Sequence, residues 1–212
     1  MVFFCTPDNP SGVLISKDIL LQSLELCEKY YVRMVVDESF WEFAFDQEAE
    51  TMLPYIGQFQ SLFLLRSFTK MYGIPGLRLG YGLCSDTDLL ERMEEVRQPW
   101  GVSIPAQEAG IAALDETDWC RQVRSYVTEQ RMWLAGELES MGCKVYPSSA
   151  NYLLFYLDQE LMESLKRKGI LIRDCSNYHG LTKGYYRIAV KTEEENRQLI
   201  DAIRDALDKE DL

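Results

Sequence analysis

"RSFTKMYGIPGLRLGY", Arg66 to Tyr81, decides how this chain is read. An apolar run, Ser61 to Leu65, leads into Ser-Phe-Thr-Lys, and Arg78 follows Lys70 by eight residues across a turn rich in Gly and Pro. A lysine at a strand end is ordinarily a solvated charge, so its neighbours must decide whether it does chemistry. Upstream, "VRMVVDE" is a β-branched apolar run of the kind buried in a parallel sheet. The first five residues read as another strand, ending at the turn "TPDNPSG". Between these two strands, Ser16 can cap a helix reaching about Tyr30, with Leu20, Leu24, Cys27 and Tyr31 on one face. "SLFLLRS" and "RLGYGLC" supply two further strands, and a helix from about Asp86 to Arg97 is stopped by Pro99. Strands alternating with helices indicate an α/β fold.

Further downstream the pattern turns helical, over Pro105–Leu114 and about Trp119–Met141, with Val123, Val127, Gln130, Leu134 and Leu138 near one face of the second helix. The last third alternates short strands ("CKVYP", "NYLLFYL", "ILIRDC", "YYRIAV") with helices at about 159–168 and 193–208. Two lobes are expected, residues 1–105 and 106–212. Trp100 and Trp133 read as packing residues.

Composition narrows the function. Of 212 residues, 47% are hydrophobic and 26% charged, as in globular proteins, and the length suffices for one or two cores. The net charge of −12, with no cluster of Lys and Arg, argues against nucleic acid as a partner. No apolar run is long enough to span a membrane, and no signal peptide is visible, so a cytoplasmic protein is expected. Six scattered cysteines without a C-x-x-C pair, beside a single histidine, argue against a metal site.

In open α/β sheets, ligands sit beyond the carboxyl ends of the strands. Asn9, Asp37, Ser67, Thr69, Lys70 and Arg78 all fall near such ends. Taken singly, each has an ordinary reading: Asn9 before Pro10 as a turn residue, Asp37 as a cap, the hydroxyls as loop residues, Arg78 as a surface charge. Together they supply an amide, a carboxylate, two hydroxyls, an amine and a guanidinium. That set suits an anionic, nitrogen-heterocyclic aldehyde. An amine can form a Schiff base, a carboxylate can keep a pyridine nitrogen protonated, and hydroxyls with a guanidinium can hold a phosphate.

At these residues the sequence resembles a known family. "DNPSG", "VVDESF" and "SFTKMYGIPGLRLGY" are similar to the signature of fold-type I aminotransferases that depend on pyridoxal 5'-phosphate (PLP). The resemblance implies that Lys70 binds the cofactor aldehyde and moves protons, that Asp37 partners the pyridine nitrogen, and that Asn9 bonds the phenolic oxygen. It implies phosphate ligands at Ser67, Thr69 and Arg78. Many relatives have Tyr where Phe40 stands, and Phe40 cannot donate a hydrogen bond to that oxygen.

"NYLLF", "RDCSNYHGL" and "YYRIAVKT" are most similar to the branch holding histidinol-phosphate aminotransferase and threonine-phosphate decarboxylase. The resemblance implies a small phosphorylated amino-acid substrate, with Arg187 for its carboxylate, Arg173 for its phosphate or the same carboxylate, and Asn151 near the cofactor. It also implies a homodimer. Relatives carry a large stretch before "NPSG", so the expected architecture is the C-terminal part of a PLP-dependent transferase-like fold. This comprises a partial large-domain sheet with flanking helices and a small α/β C-terminal domain. Decarboxylation of threonine phosphate, a step toward the cobalamin side chain, is the leading expectation. The alternatives are an aminotransferase acting on histidinol phosphate and, from another class, an inactive fragment serving only binding or oligomerisation. The histidine at 179 reads as an ordinary loop residue, and Cys175, beside Asp174, has no visible activating base.

Overall fold

The computed structural model describes residues 1–44 and 51–208. They form two compact units: Met1–Asp8 with Leu14–Arg124, and Asn9–Val13 with the chain from Ser125 onward. The expected lobe border at 105/106 therefore lies inside the first unit.

The first unit is built on a sheet of order β1-β2-β3-β4. Its strands are β1 (Val2–Cys5), β2 (Met34–Asp37), β3 (Leu62–Ser67) and β4 (Gly80–Cys84). The first three run parallel and β4 antiparallel to β3. In β2 and β3, residues on both faces are buried: Met34, Val35 and Val36, then Leu62, Phe63 and Leu64. Their continuous apolar sequence follows from that two-sided burial. Helix α1 (Lys17–Lys29) packs Leu20, Leu24 and Cys27 onto one face against Met34, Val36, Leu62 and Leu64. On β4, a Cβ at position 82 would lie 2.5 Å from the Phe63 ring, so a larger residue there would have to displace that buried ring.

Three expectations for this unit change. Ser16 precedes α1 but its side chain makes no capping bond. Tyr31 does not continue the buried stripe. It lies past the helix end in the left-handed region, φ 55°, and is 97% exposed. Trp100 is likewise left-handed and 97% exposed, not a packing residue. Helix α2 (Thr87–Val96) is capped by Asp86, whose carboxylate accepts from Leu89 N at 3.0 Å. Helix α3 (Ile104–Leu114) is capped by Ser103, with Pro105 in its first turn.

Helix α4 (Thr117–Ser140) begins in the first unit, and its first two turns hold the segment around Lys70. Trp119 Nε1 donates to Met71 O at 3.3 Å, and Arg124 Nε donates to Glu42 O at 2.8 Å. The Tyr72 phenol lies near the Glu42 carboxylate and the Cys120 thiol. Burial raises the pKa of the Glu42 carboxyl, against the opposing pull of Arg66, Tyr72 and Arg124. Burial and the Glu42 charge push the Tyr72 phenol upward as well.

The second unit carries an antiparallel sheet of order β5-β6-β8-β7. The strands are β5 (Lys144–Val145), β6 (Tyr152–Tyr156), β7 (Arg173–Asp174) and β8 (Tyr185–Ala189). Along β8, Tyr186 and Ile188 are buried while Tyr185 and Arg187 alternate with them. Opposite lie Phe155 and Leu153, so one face of the sheet joins the core of this unit. The remainder of α4 contributes Val127, Leu134 and Leu138 to that core. Helix α5 (Met162–Arg167) adds Leu165, and helix α6 (Glu193–Leu207) adds Leu199, Ile200 and Ile203. The buried Asn196 amide donates to Gln130 Oε1 at 2.9 Å, tying α6 to α4. Segment Asn9–Val13 joins this unit through Gly12. Its carbonyl accepts from Ser149 N at 2.8 Å, and a Cβ there would lie 2.1 Å from Ser148 Oγ. Among the described residues, no helix is long and apolar enough to cross a membrane.

Two predictions follow from local physics. Thr192 caps α6 in a reciprocal box with Glu195, whose carboxyl is pushed down to about 2 by the Lys191 ammonium and the Thr192 hydroxyl and amide. Thr192→Ala should cost about 1 kcal/mol in urea unfolding and Thr192→Ser far less; equal losses would remove the capping hydroxyl from the account. For Glu42, the folded state binds the proton more tightly than the unfolded state. Its contribution is complete below the ordinary value of 4.5 and is lost as pH rises through the raised folded pKa. Glu42→Gln, which cannot ionise, should therefore gain stability relative to the parent as pH rises from below 4.5 to neutrality. A stability difference that stays constant across that range would show that the carboxyl is not held against ionisation.

Candidate active site

Parallel pairing puts the ends of β1, β2 and β3 side by side. Thr6 N donates to Asp37 O at 3.0 Å, and Glu38 N donates to Leu65 O at 2.9 Å. Asp37, at the end of β2, is half-buried and accepts from Ser39 N at 2.9 Å through Oδ1. Ser67 ends β3. Its hydroxyl lies 2.8 Å from the Thr69 hydroxyl and accepts from Thr69 N at 3.2 Å. The Lys70 ammonium is 5.6 Å from the centre of the Phe40 ring, which brings the segments after β2 and β3 together. Phe68 N donates to Leu79 O at 3.2 Å, and this places Arg78 beside the same turn. Arg78 is left-handed, φ 54°, and its Nη1 donates to Pro75 O at 3.0 Å. Asp37, Ser67, Thr69, Lys70 and Arg78 thus share one edge of the first unit's sheet.

Beneath this edge lies a group the sequence reading missed. The carboxylate of Glu38 has no exposed surface and pairs with Arg66 at 2.8 Å. It also accepts from Met52 N at 2.7 Å and bonds the Thr51 hydroxyl at 2.9 and 3.1 Å. The Arg66 guanidinium stacks 4.0 Å from the Trp41 ring. Behind Ser67, residues including Glu38, Glu42, Arg66 and Tyr72 line a cavity of about 10 Å³, room for at most one water. The available signal was positional: an acid follows Asp37 directly and a base precedes Ser67 directly.

In the second unit, Arg187 Nη1 donates to Asn9 Oδ1, a pairing across 178 positions that the sequence did not announce. The half-buried Arg187 guanidinium also lies 5.0 Å from the Tyr152 ring. Arg173 stands directly opposite Arg187 in the β7–β8 ladder, so both project from the same face. Arg173 is exposed and donates to Asn177 Oδ1 at 3.1 Å. Among the described residues, no carboxylate forms an ion pair with either arginine. Asn151 sits just before β6, its carbonyl accepting from Val190 N at 2.9 Å. The histidine at 179 is exposed, and burial pushes the Cys175 thiol pKa up, which works against nucleophilic use.

The chemistry of the first unit's edge fits PLP: an amine, paired hydroxyls beside a guanidinium, and a half-buried carboxylate with one oxygen bonded to backbone. Residues 1–203 match the family "Aminotransferase class I and II". Histidinol-phosphate aminotransferase 2 of Archaeoglobus fulgidus is 39% identical over 207 residues, covering 97% of this chain and 58% of that protein. Threonine-phosphate decarboxylase of Salmonella typhimurium is 35% identical over 210 residues, covering 97% and 57%. The crystal structure of the histidinol-phosphate aminotransferase from Clostridium acetobutylicum superposes with a TM-score of 0.93 at 28% identity, covering 98% of this chain and 64% of that one. The chain thus spans a little over half the length of the curated relatives it matches. By sequence match and by fold, the chain belongs to the class I and II aminotransferases, a PLP-dependent family, and corresponds to the C-terminal portion of the fold-type I architecture.

Proposed function

We propose that this chain carries the C-terminal share of a PLP-dependent aminotransferase acting on a small phosphorylated amine of the histidinol-phosphate kind. The observation that carries the reading is the Lys70 amine, set on one sheet edge with the Ser67–Thr69 hydroxyl pair and the Asp37 carboxylate. Sequence alone put decarboxylation of threonine phosphate first. The order changes because the aminotransferase relative reaches 39% identity against 35% for the decarboxylase, and the 0.93 superposition is with an aminotransferase. Decarboxylation stays as the second reading on the strength of that 35% match.

Bound PLP would supply an aldehyde for the substrate amine and a ring that delocalises the electron pair left on the α-carbon. Asp37 would keep the ring nitrogen protonated. Ser67, Thr69 and Arg78 would hold the phosphate with hydroxyl donors and a guanidinium. Asn9 would turn its amide toward the phenolic oxygen, a position at which Phe40 offers no donor. Lys70, once released from the aldehyde, would take the proton from the substrate α-carbon and return it during transfer. Arg187 and Arg173 supply two cations on one face, which suits the doubly charged phosphate of histidinol phosphate and the two carboxylates of 2-oxoglutarate, the amino-group acceptor. Asn151, at the start of β6, supports that face. A cytoplasmic homodimer is the expected state.

The test begins with the cofactor. PLP is added to the purified chain, visible absorbance is recorded, the product is reduced with borohydride and the modified lysine is mapped. Modification at Lys70 that disappears in Lys70→Ala supports the reading; modification scattered over surface lysines, or none, refutes it for this chain. Histidinol phosphate with 2-oxoglutarate is then expected to yield glutamate, and threonine phosphate to release no CO2. The opposite pair of results would restore decarboxylation as the function.

A further inference from the structure

Glu38 and Arg66 each adjoin a residue of the proposed site, and neither belongs to it. Side chains alternate across a strand, so Arg66 faces away from Ser67 on β3, and Glu38, the residue after β2, pairs with Arg66. On that reverse face the two ends are tied together. Arg66 donates to Glu38 Oε2 from Nε at 3.2 Å and from Nη2 at 2.8 Å, and Nη2 also donates to Thr51 Oγ1 at 2.8 Å. The Glu38 side chain is 0% exposed and that of Arg66 13%. A buried ion pair is seldom the most stable filling for its space, since apolar residues of similar volume commonly do as well or better. What the pair does supply is direction: its fork fixes two strand ends at one separation, while Thr51, Met52 and the Trp41 ring leave it one geometry.

We infer that Glu38 and Arg66 are positioning residues that set the distance between Asp37, at the ring-nitrogen end, and the Ser67–Thr69 hydroxyls, at the phosphate end, of one bound cofactor. The inference rests on the PLP reading of this edge. Its consequence is selective. A ligand that spans both ends senses the spacing, whereas a ligand that engages only one end does not.

The test compares the parent chain with E38L/R66M, which removes both charges, and with E38Q, which keeps a hydrogen-bonding group should the double variant not fold. Hydrogen exchange is followed by mass spectrometry over residues 37–40 and 67–70, with helix α1 as the internal reference. Binding is measured with PLP and with pyridoxal, which lacks the phosphate. The double variant should unfold at a similar urea concentration, exchange both segments roughly tenfold faster with α1 unchanged, and hold PLP roughly tenfold more weakly with pyridoxal little altered. Unchanged exchange in the two segments overturns the inference. So does equal weakening of PLP and pyridoxal, which would mark general destabilisation. If the parent takes up no PLP, the cofactor reading falls separately, and the exchange comparison still decides whether the pair holds the two strand ends.

Discussion

A carboxylate with no exposed surface sits between the two central strands of the first unit, and its need for partners organises the structure around it. Moving an ion out of water costs several kcal/mol, and removing one partner of a buried pair typically costs about 3–5 kcal/mol. Glu38 meets that demand with Arg66, the Thr51 hydroxyl and the Met52 amide, drawn from two separate stretches of chain. Each partner fixes backbone as well as charge. The strand ends that present Asp37 and Ser67 to one side are therefore anchored from the other. The turn that bears Lys70 is held in addition by Trp119, and the segment after β2 by Arg124, both from α4.

The two units treat charge differently. In the first, the guanidinium of Arg66 is consumed by an internal acid. In the second, Arg173 and Arg187 stand opposite each other and, among the described residues, bond side-chain amides and lie near aromatic rings without forming an ion pair. Like charges placed directly across a ladder repel, so the sheet carries a local cost there that an anionic ligand would relieve. The overall charge of −12 sharpens the contrast, because acids are plentiful on the chain and yet, among the described residues, none forms an ion pair with these two.

Much of the fold could be read from sequence because periodicity reports it. The apolar runs of β2 and β3 follow from burial on both faces, and the alternation along β8 from burial on one. The buried face of α4, from Val127 through Leu138, was legible at helical spacing. The site was legible where a polar residue ends an apolar run, as Asp37 and Ser67 do. Side-chain partners far apart in sequence leave no such trace. Nothing in spacing links Asn9 to Arg187, or Thr51 to Glu38 and Arg66. Backbone exits were also hidden. Tyr31 and Trp100 look apolar and helix-adjacent, yet both take left-handed conformations that turn them into solvent.

The five residues Asn9–Val13 belong to the second unit although both flanking segments belong to the first. The chain therefore passes from one unit to the other three times, the last within the unbroken helix α4. Neither unit is a continuous piece of polypeptide, so no single cut releases either one whole. A segment beginning at Ser125 would lack the carbonyl of Gly12 that bonds Ser149 and the amide of Asn9 that bonds Arg187. In modular terms, the second unit cannot be exchanged between relatives as a C-terminal cassette, because a short piece of it is encoded more than a hundred residues upstream. Recombination that respects the fold has to carry the "DNPSG" loop together with the C-terminal sheet.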